Sequence, residues 1–393
     1  MNKSTNTRTN NIYSAKNVFF GSIAYILILA YFPLSLFVSF DEMAFETVSI
    51  IAMAITAFAV FKLASSARPL IALITPAAIF FFLGGSFLPV ASIFSLLGSV
   101  ALLACVIYRA PSFAARVFPL LLTAALYLGC AIYTENYLIS LVCVAFLPTG
   151  LILAFCLSKG VSRVATICAV SFGLLLPLAA LFLAWLFLKH GGNVSVIPSA
   201  IEHARTLFAG MVKESIEQLE MLEITSDITE LSTVAVSLVF NLLPAIIISS
   251  VNLISFFIQS FTASIVSVTE KDKDKLDALN EFKMSTVSAV VFIGFLILYA
   301  VFSDEAEAML ATAALNVIII LVPGLLFTAF AWLKRRTQSP NSSCFGIMLY
   351  FGAIMLLIRY TSYAVMIGAI FGSTLLIFNA IKSAMTQYKD QQK

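Results

Sequence analysis

Apolar runs of about 20 residues, broken by short charged clusters, recur along nearly all of this 393-residue sequence, and no other feature limits its fold so tightly. A run of that length crosses a hydrocarbon core about 30 Å thick as a helix. Backbone groups in lipid find no water to bond, so only helices or a closed barrel can span it. The runs lack the strict alternation of a barrel strand. The chain therefore reads as all-α, a polytopic transmembrane helical bundle. Composition agrees: hydrophobic residues make up 61%, charged residues 11%, and mean hydropathy is +1.02. Soluble domains carry about 25% charge, and a soluble core of this size has no room for so much apolar surface.

The expected spans are Val18–Phe40, Met43–Phe61, Pro69–Gly84, Phe87–Tyr108, Phe113–Tyr133, Tyr137–Leu157 and Val164–Leu188 in a first half, residues 18–188. Val234–Gln259, Met284–Phe302, Ala308–Leu333, Phe345–Ile358 and Thr361–Ala380 follow in a second half, residues 234–380. That makes about twelve spans, with ten or eleven as the alternative, because only Gly84-Gly85 and Pro89 interrupt the stretch from Pro69 to Tyr108. A polar N-terminus (1–17), a loop (189–233) and a tail (381–393) complete the organisation. Met1 to Asn17 does not make a signal-peptide n-region, and no small-residue cleavage pattern follows the first run, which reads as a retained helix.

Charge orients the bundle. With the N-terminus cytoplasmic and each span changing sides, nineteen of the 23 Lys and Arg fall inside, leaving only Lys189, Arg205, Lys213 and Arg359 outside. This is the positive-inside pattern and places both termini in the cytoplasm of a cell-membrane protein. Fourteen of the twenty acidic residues fall on the opposite side, a weaker determinant.

The external loop 189–233 opens with Gly191-Gly192, and Pro198 suits a first helical turn. Ile201, Ala204, Phe208, Met211, Ile216, Leu219 and Leu222 then recur at helical intervals among acidic residues, predicting an external amphipathic helix over 199–223. It reads as a cover for apolar surface or as a lid over an external entrance. Asp227 and Glu230 have capping-box spacing, so the next helix is expected to begin outside and run into the eighth span. Segment 264–283 contains the alternating charges of Glu270-Lys-Asp-Lys-Asp-Lys and reads as a solvated connector or a contact for a cytoplasmic protein partner.

Signs of chemistry are few. His190 and His203 both lie in the external loop, and there is neither an HExxH pair nor a phosphate loop. No GxSxG elbow occurs. The six cysteines, Cys105, Cys130, Cys143, Cys156, Cys168 and Cys344, are scattered without a CxxC pair and read as small hydrophobes. No ionisable residue sits near the middle of a span, where ion-coupled machines place one. Glu46, Glu135 and Arg359 lie near span ends, where water is within reach. The pattern calls for no catalytic residue, metal, cofactor or nucleic acid; the partners it does imply are the lipid bilayer, a small-molecule substrate and a cytoplasmic protein at 264–283.

The eighth span is the informative one. At 100° per residue, Asn241, Asn252 and Gln259 align within about 20°, with Ser237 and Ser255 within about 40°. Amides in hydrocarbon need partners, so this face is expected to look into the bundle or a wet cavity. Pro244 frees a carbonyl near Phe240. Asn316 with Pro323 on the tenth span repeats the theme. Asn241, Asn252, Gln259 and Asn316 are therefore the candidate substrate-binding residues, with interhelical glue as the alternative.

The second half, with "LVFNLLPAIIISSVNLISFFIQS", a charged loop before "NEFKMS", "AALNVIIILVPGLLFTAFAWLKRR" and a close on "MIGAIFGSTLLIFNA", resembles the YybS-like family of bacterial membrane proteins over about Ile201–Ala380. That family compares distantly with substrate-binding subunits of energy-coupling-factor vitamin transporters. The resemblance implies a small-molecule-binding or transport component that borrows ATP hydrolysis from a cytoplasmic partner. Two other readings stay open: a non-transporting scaffold, and a membrane enzyme acting on lipid-linked sugars through His203 and Arg205.

Overall fold

The structure, a computed structural model, describes residues 15–37, 42–64, 87–135, 144, 147–220, 228–266, 282, 284–302, 308–338 and 361–391. These form helices α1 (Ala15–Phe37), α2 (Glu42–Ala64), α3 (Phe87–Arg109), α4 (Phe113–Thr134), α5 (Leu147–Lys159) and α6 (Arg163–Ala184). Then come α7 (Val196–Glu220), α8 (Ile228–Val266), α9 (Thr286–Phe302), α10 (Ala308–Gln338) and α11 (Thr361–Gln391). Among the described residues there is no strand. Helix is observed in ten of the twelve expected runs, in Tyr137–Leu157 only from Leu147 onward; most of residues 137–146 and the runs at 69–84 and 345–358 lie outside the described residues. Among the described residues, five stretches are long and apolar enough to cross a membrane: Phe113–Tyr133, Arg163–Lys189, Leu238–Ala263, Met309–Leu333 and Tyr363–Lys389.

The chain divides into two units, Met1–Trp185 with Val251–Leu279, and Leu186–Ser250 with Asn280–Lys393. In the first, α1 packs on α2, α3 and α4, α3 packs on α2 and α5, and α5 packs on α6. Helix α3 is the axis. Its residues from Val100 to Val106 are all fully buried, as a helix apolar on every face must be if its neighbours surround it. Tyr25, Ile28 and Leu29 of α1, Leu153 of α5, and Ile258 and Ile265 of α8 complete this core.

In the second unit α9, α10 and α11 pack pairwise around Phe292, Ile318, Leu325, Ala369 and Leu376. The α10–α11 contact is close because Gly368 and Gly372 face it. A Cβ on Gly372 would lie 2.2 Å from the Leu325 carbonyl oxygen. Small residues that let backbones approach are a usual means of joining helices in lipid, where hydrophobicity gives no drive.

Helix α7 covers 199–220 of the segment expected to be helical, 221–223 lying outside the described residues, and its edge-to-face pair Phe208–Phe240, centroids 5.9 Å apart, ties it to α8. Before it, α6 passes into a π-helical turn, Trp185–Lys189. Gly191 (φ 59°) and Gly192 (φ 80°) end that turn in the left-handed region, with Gly192 N–H donating to Leu186 O and Gly191 N–H to Phe187 O, each at 3.1 Å. Helix α8 runs unbroken for 39 residues through Pro244, well beyond the ~20 that a crossing needs. Asp227, its expected cap, lies outside the described residues.

Candidate functional site

The polar residues of α8 fall into two separate clusters, one in each unit. In the first unit, Ser171 on α6 donates its hydroxyl to Asn252 Oδ1 at 2.8 Å and lies 2.9 Å from Ser255 Oγ. Ser255 is completely buried and Ser171 nearly so. One α-helical step of three to four residues separates Asn252, Ser255 and Gln259, which puts them along one side of α8. Gln259 is 3% exposed, and its Oε1 accepts no hydrogen bond. A buried carboxamide acceptor left unmade costs about 1–3 kcal/mol, so the position favours any donor that reaches it.

Two arginines close this unit near the C-terminal end of α8. Arg109, the last residue of α3, is 3% exposed and donates through a guanidinium nitrogen to Ile265 O at 3.0 Å. Ile265 belongs to the final turn of α8, whose carbonyls have no partner within the helix, and a cation there also meets the negative end of the helix dipole. Arg163, the first residue of α6, donates to Ser260 Oγ and stacks its guanidinium 5.2 Å from the Phe256 ring centroid. Thr123 on α4 reaches Tyr25 Oη of α1 at 3.4 Å while bonding back to the Pro119 carbonyl at 2.7 Å. Thr149 on α5 is fully buried, and its Oγ1 has no partner.

The second unit holds the other cluster. Asn316 Nδ2 on α10 donates to Thr312 O at 3.0 Å and to the Asn241 backbone carbonyl at 3.2 Å. Asn316 Oδ1 is buried without a partner. Asn241 takes part through its main chain, and the residue is exposed. Its carbonyl lies next to that of Phe240, the one that Pro244 leaves without a donor. The bond therefore supports the helix one residue from its proline defect.

The four candidate residues thus stand as pairs, Asn252 with Gln259 and Asn241 with Asn316. Sequence reasoning missed Ser171, Arg109 and Arg163 as parts of a site. A lone serine in an apolar run carries no signal until its partner is known. The arginines had been counted only as markers of sidedness, although each sits where a helix begins or ends, which is the signal for a terminal contact. Of the other candidates, His203 is exposed on α7, and Arg205 pairs with Glu202 at 3.9 Å. Exposed pairs of this kind contribute little. Glu135 caps α4 in the left-handed region (φ 53°) and is exposed. Glu46's side chain, Arg359 and nearly all of 264–283 lie outside the described residues. Among the described residues, Cys105, Cys130, Cys156 and Cys168 form no disulfide, and no three His, Cys, Asp or Glu gather as metal ligands.

Several long apolar helices, joined through buried polar seams, define a multi-pass helical membrane protein. The chain belongs to the family described as "Predicted membrane protein (DUF2232)", which matches residues 73–373. Comparison with curated proteins and with solved structures gives no match.

Proposed function

We propose that the protein is a small-molecule-binding or transport component of a bacterial plasma membrane, with about twelve spans and both termini cytoplasmic. The observation that carries this reading is Gln259, a buried amide on a membrane helix whose acceptor has no protein donor. A solute with an N–H or O–H group supplies that donor. Asn252 lies two turns from Gln259 on the same side of the helix. Asn241 and Asn316 offer polar groups of the same kind in the second unit, where Asn316 Oδ1 is likewise unfilled. The likeness to the YybS-like family, and through it to vitamin-binding transporter subunits, supports the same class. A chain without a phosphate loop would then take ATP hydrolysis from a cytoplasmic partner, with 264–283 as the docking segment. Helix α7 would cover the external entrance.

A second reading has its own observation. The Ser171–Asn252–Ser255 bonds satisfy one another, as they would if they only join helices in a scaffold. Thermal unfolding of the protein in lipid nanodiscs, with a panel of vitamins and polar metabolites, separates the two. A ligand at a hundred times its Kd stabilises by about 2.7 kcal/mol. The binding reading expects such a shift in wild type and its loss in Gln259→Leu, with unliganded stability retained. An equal shift in both proteins would remove Gln259 from the site, and no shift with any compound favours the scaffold.

A further inference from the structure

Helix α11 carries an apolar line that the described residues of its own unit leave uncovered. Ile367, Phe371, Thr374, Phe378, Ile381, Met385 and Tyr388 succeed one another by alternating steps of four and three residues. That spacing is the a/d seam of a coiled coil, held here for more than three heptads. The face that α11 packs inward is a different one, with Ala369, Gly372, Ser373 and Leu376 buried. The large seam residues are 39% to 64% exposed. Inside hydrocarbon, such exposure is ordinary lipid contact. Past Ala380, where the expected span ends, it is not. There Lys382, Ser383, Thr386, Gln387, Lys389 and Asp390 turn the sequence polar, yet the helix continues to Gln391. Every residue from Ile381 to Lys389 is exposed, and Ile381, Met385 and Tyr388 keep the register at 52%, 64% and 63%. Apolar side chains in strict heptad order on a helix end outside the membrane need a surface to cover them.

We propose that this seam joins α11 to the same helix of a second copy of the chain, as a parallel left-handed coiled coil running from the membrane into the aqueous extension. Insertion gives every copy one orientation and depth, so the seam meets its own image in register. The flanking charges fit that partner. With Phe378 and Met385 at a, Lys382 and Lys389 occupy e, while Ile377 and Ala384 occupy g. Parallel pairing sets e against g, so each lysine lies over an uncharged neighbour that its aliphatic stem can cover. Antiparallel pairing would set lysine against lysine. Past Phe378 the only charges at e and g are these two lysines, and no carboxylate at those positions pairs with them within one copy.

The test uses the full-length protein in its native membrane, with single substitutions Ile381→Cys, Met385→Cys and, on the outer f position, Ser383→Cys. The unsubstituted chain, with its six native cysteines, sets the baseline. After mild oxidation, the two seam positions should give a band at twice the monomer mass that contains this chain alone, while Ser383→Cys stays at baseline. Two differently tagged copies should co-purify, and Ile381→Glu with Met385→Glu should abolish this without lowering helix content or the unfolding midpoint. The proposal is overturned by equal cross-linking at Ser383 and Met385, or by no dimer band at either seam position. It is also overturned by a disulfide within one chain, which would show the seam covered from inside, or by a cross-link to another protein.

Discussion

Asn316 shows how a single amide can join two helices while remaining half satisfied. Its Nδ2 bridges the carbonyls of Thr312 and Asn241, and its Oδ1 is buried without a donor. Interhelical hydrogen bonds in membranes average only about 0.6 kcal/mol, and the unfilled acceptor offsets even that. Asn316→Leu should therefore change unfolding free energy by less than about 1 kcal/mol. Asn316→Asp should cost on the order of 3 kcal/mol or more at neutral pH, because it replaces the donor with an uncompensated anion facing two carbonyl oxygens. Chemical unfolding in mixed micelles measures both; equal effects would mean that the amide's direction does not matter. Gly372 is the opposite case, a residue that matters for what it lacks. The atom that a Cβ would strike at 2.2 Å is a backbone oxygen in a packed helix, not the end of a flexible side chain. Gly372→Ala should destabilise by about 1–3 kcal/mol, the usual range for overpacking, whereas Gly294→Ala, where a Cβ meets nothing within 4 Å, should not. Equal unfolding midpoints for these two variants would contradict the close α10–α11 approach.

At the scale of elements, the apolar runs were legible because lipid leaves a spanning backbone so little choice. Length and hydropathy alone marked α4, α6, α8, α10 and α11. The continuation of α8 upstream of its span was legible too, from the capping-box spacing of Asp227 and Glu230. What failed to show was anything that depends on a neighbour. The 100° rule groups Asn241 with Gln259, yet they belong to different units, since a wheel takes no account of which helix packs beside which turn. Burial of Arg109 and Arg163 likewise depends on the end of α8 arriving next to two other helix ends. The polar sequence after Ala380 reads as a tail, whereas α11 carries its helix through it to Gln391. A helix already nucleated in the membrane need not meet the cost of starting again.

For the whole molecule, the strongest remaining inference is orientation, and it rests on charge rather than on packing. Nineteen of 23 basic residues lie on one side when the expected spans alternate from a cytoplasmic start, and the first and last segments both belong to that side. Miscounting by a single span would transfer every later cluster, including Lys334, Arg335 and Arg336, to the other face. The asymmetry therefore tests the parity of the count as well as its direction. The bias acts through Lys and Arg near span ends in short loops, which describes these clusters well. Loop 189–233, external in this arrangement, is the long exception, and α7 within it contributes only Arg205 and Lys213. We expect reporter fusions at Lys16 and at Lys389 both to read as cytoplasmic, and a fusion after Glu220 to read as external. Two termini on opposite sides would mean an odd number of crossings and would remove one of the expected spans. Both termini external would reverse the molecule and take with it the external placement of α7, and hence any role for it as a lid.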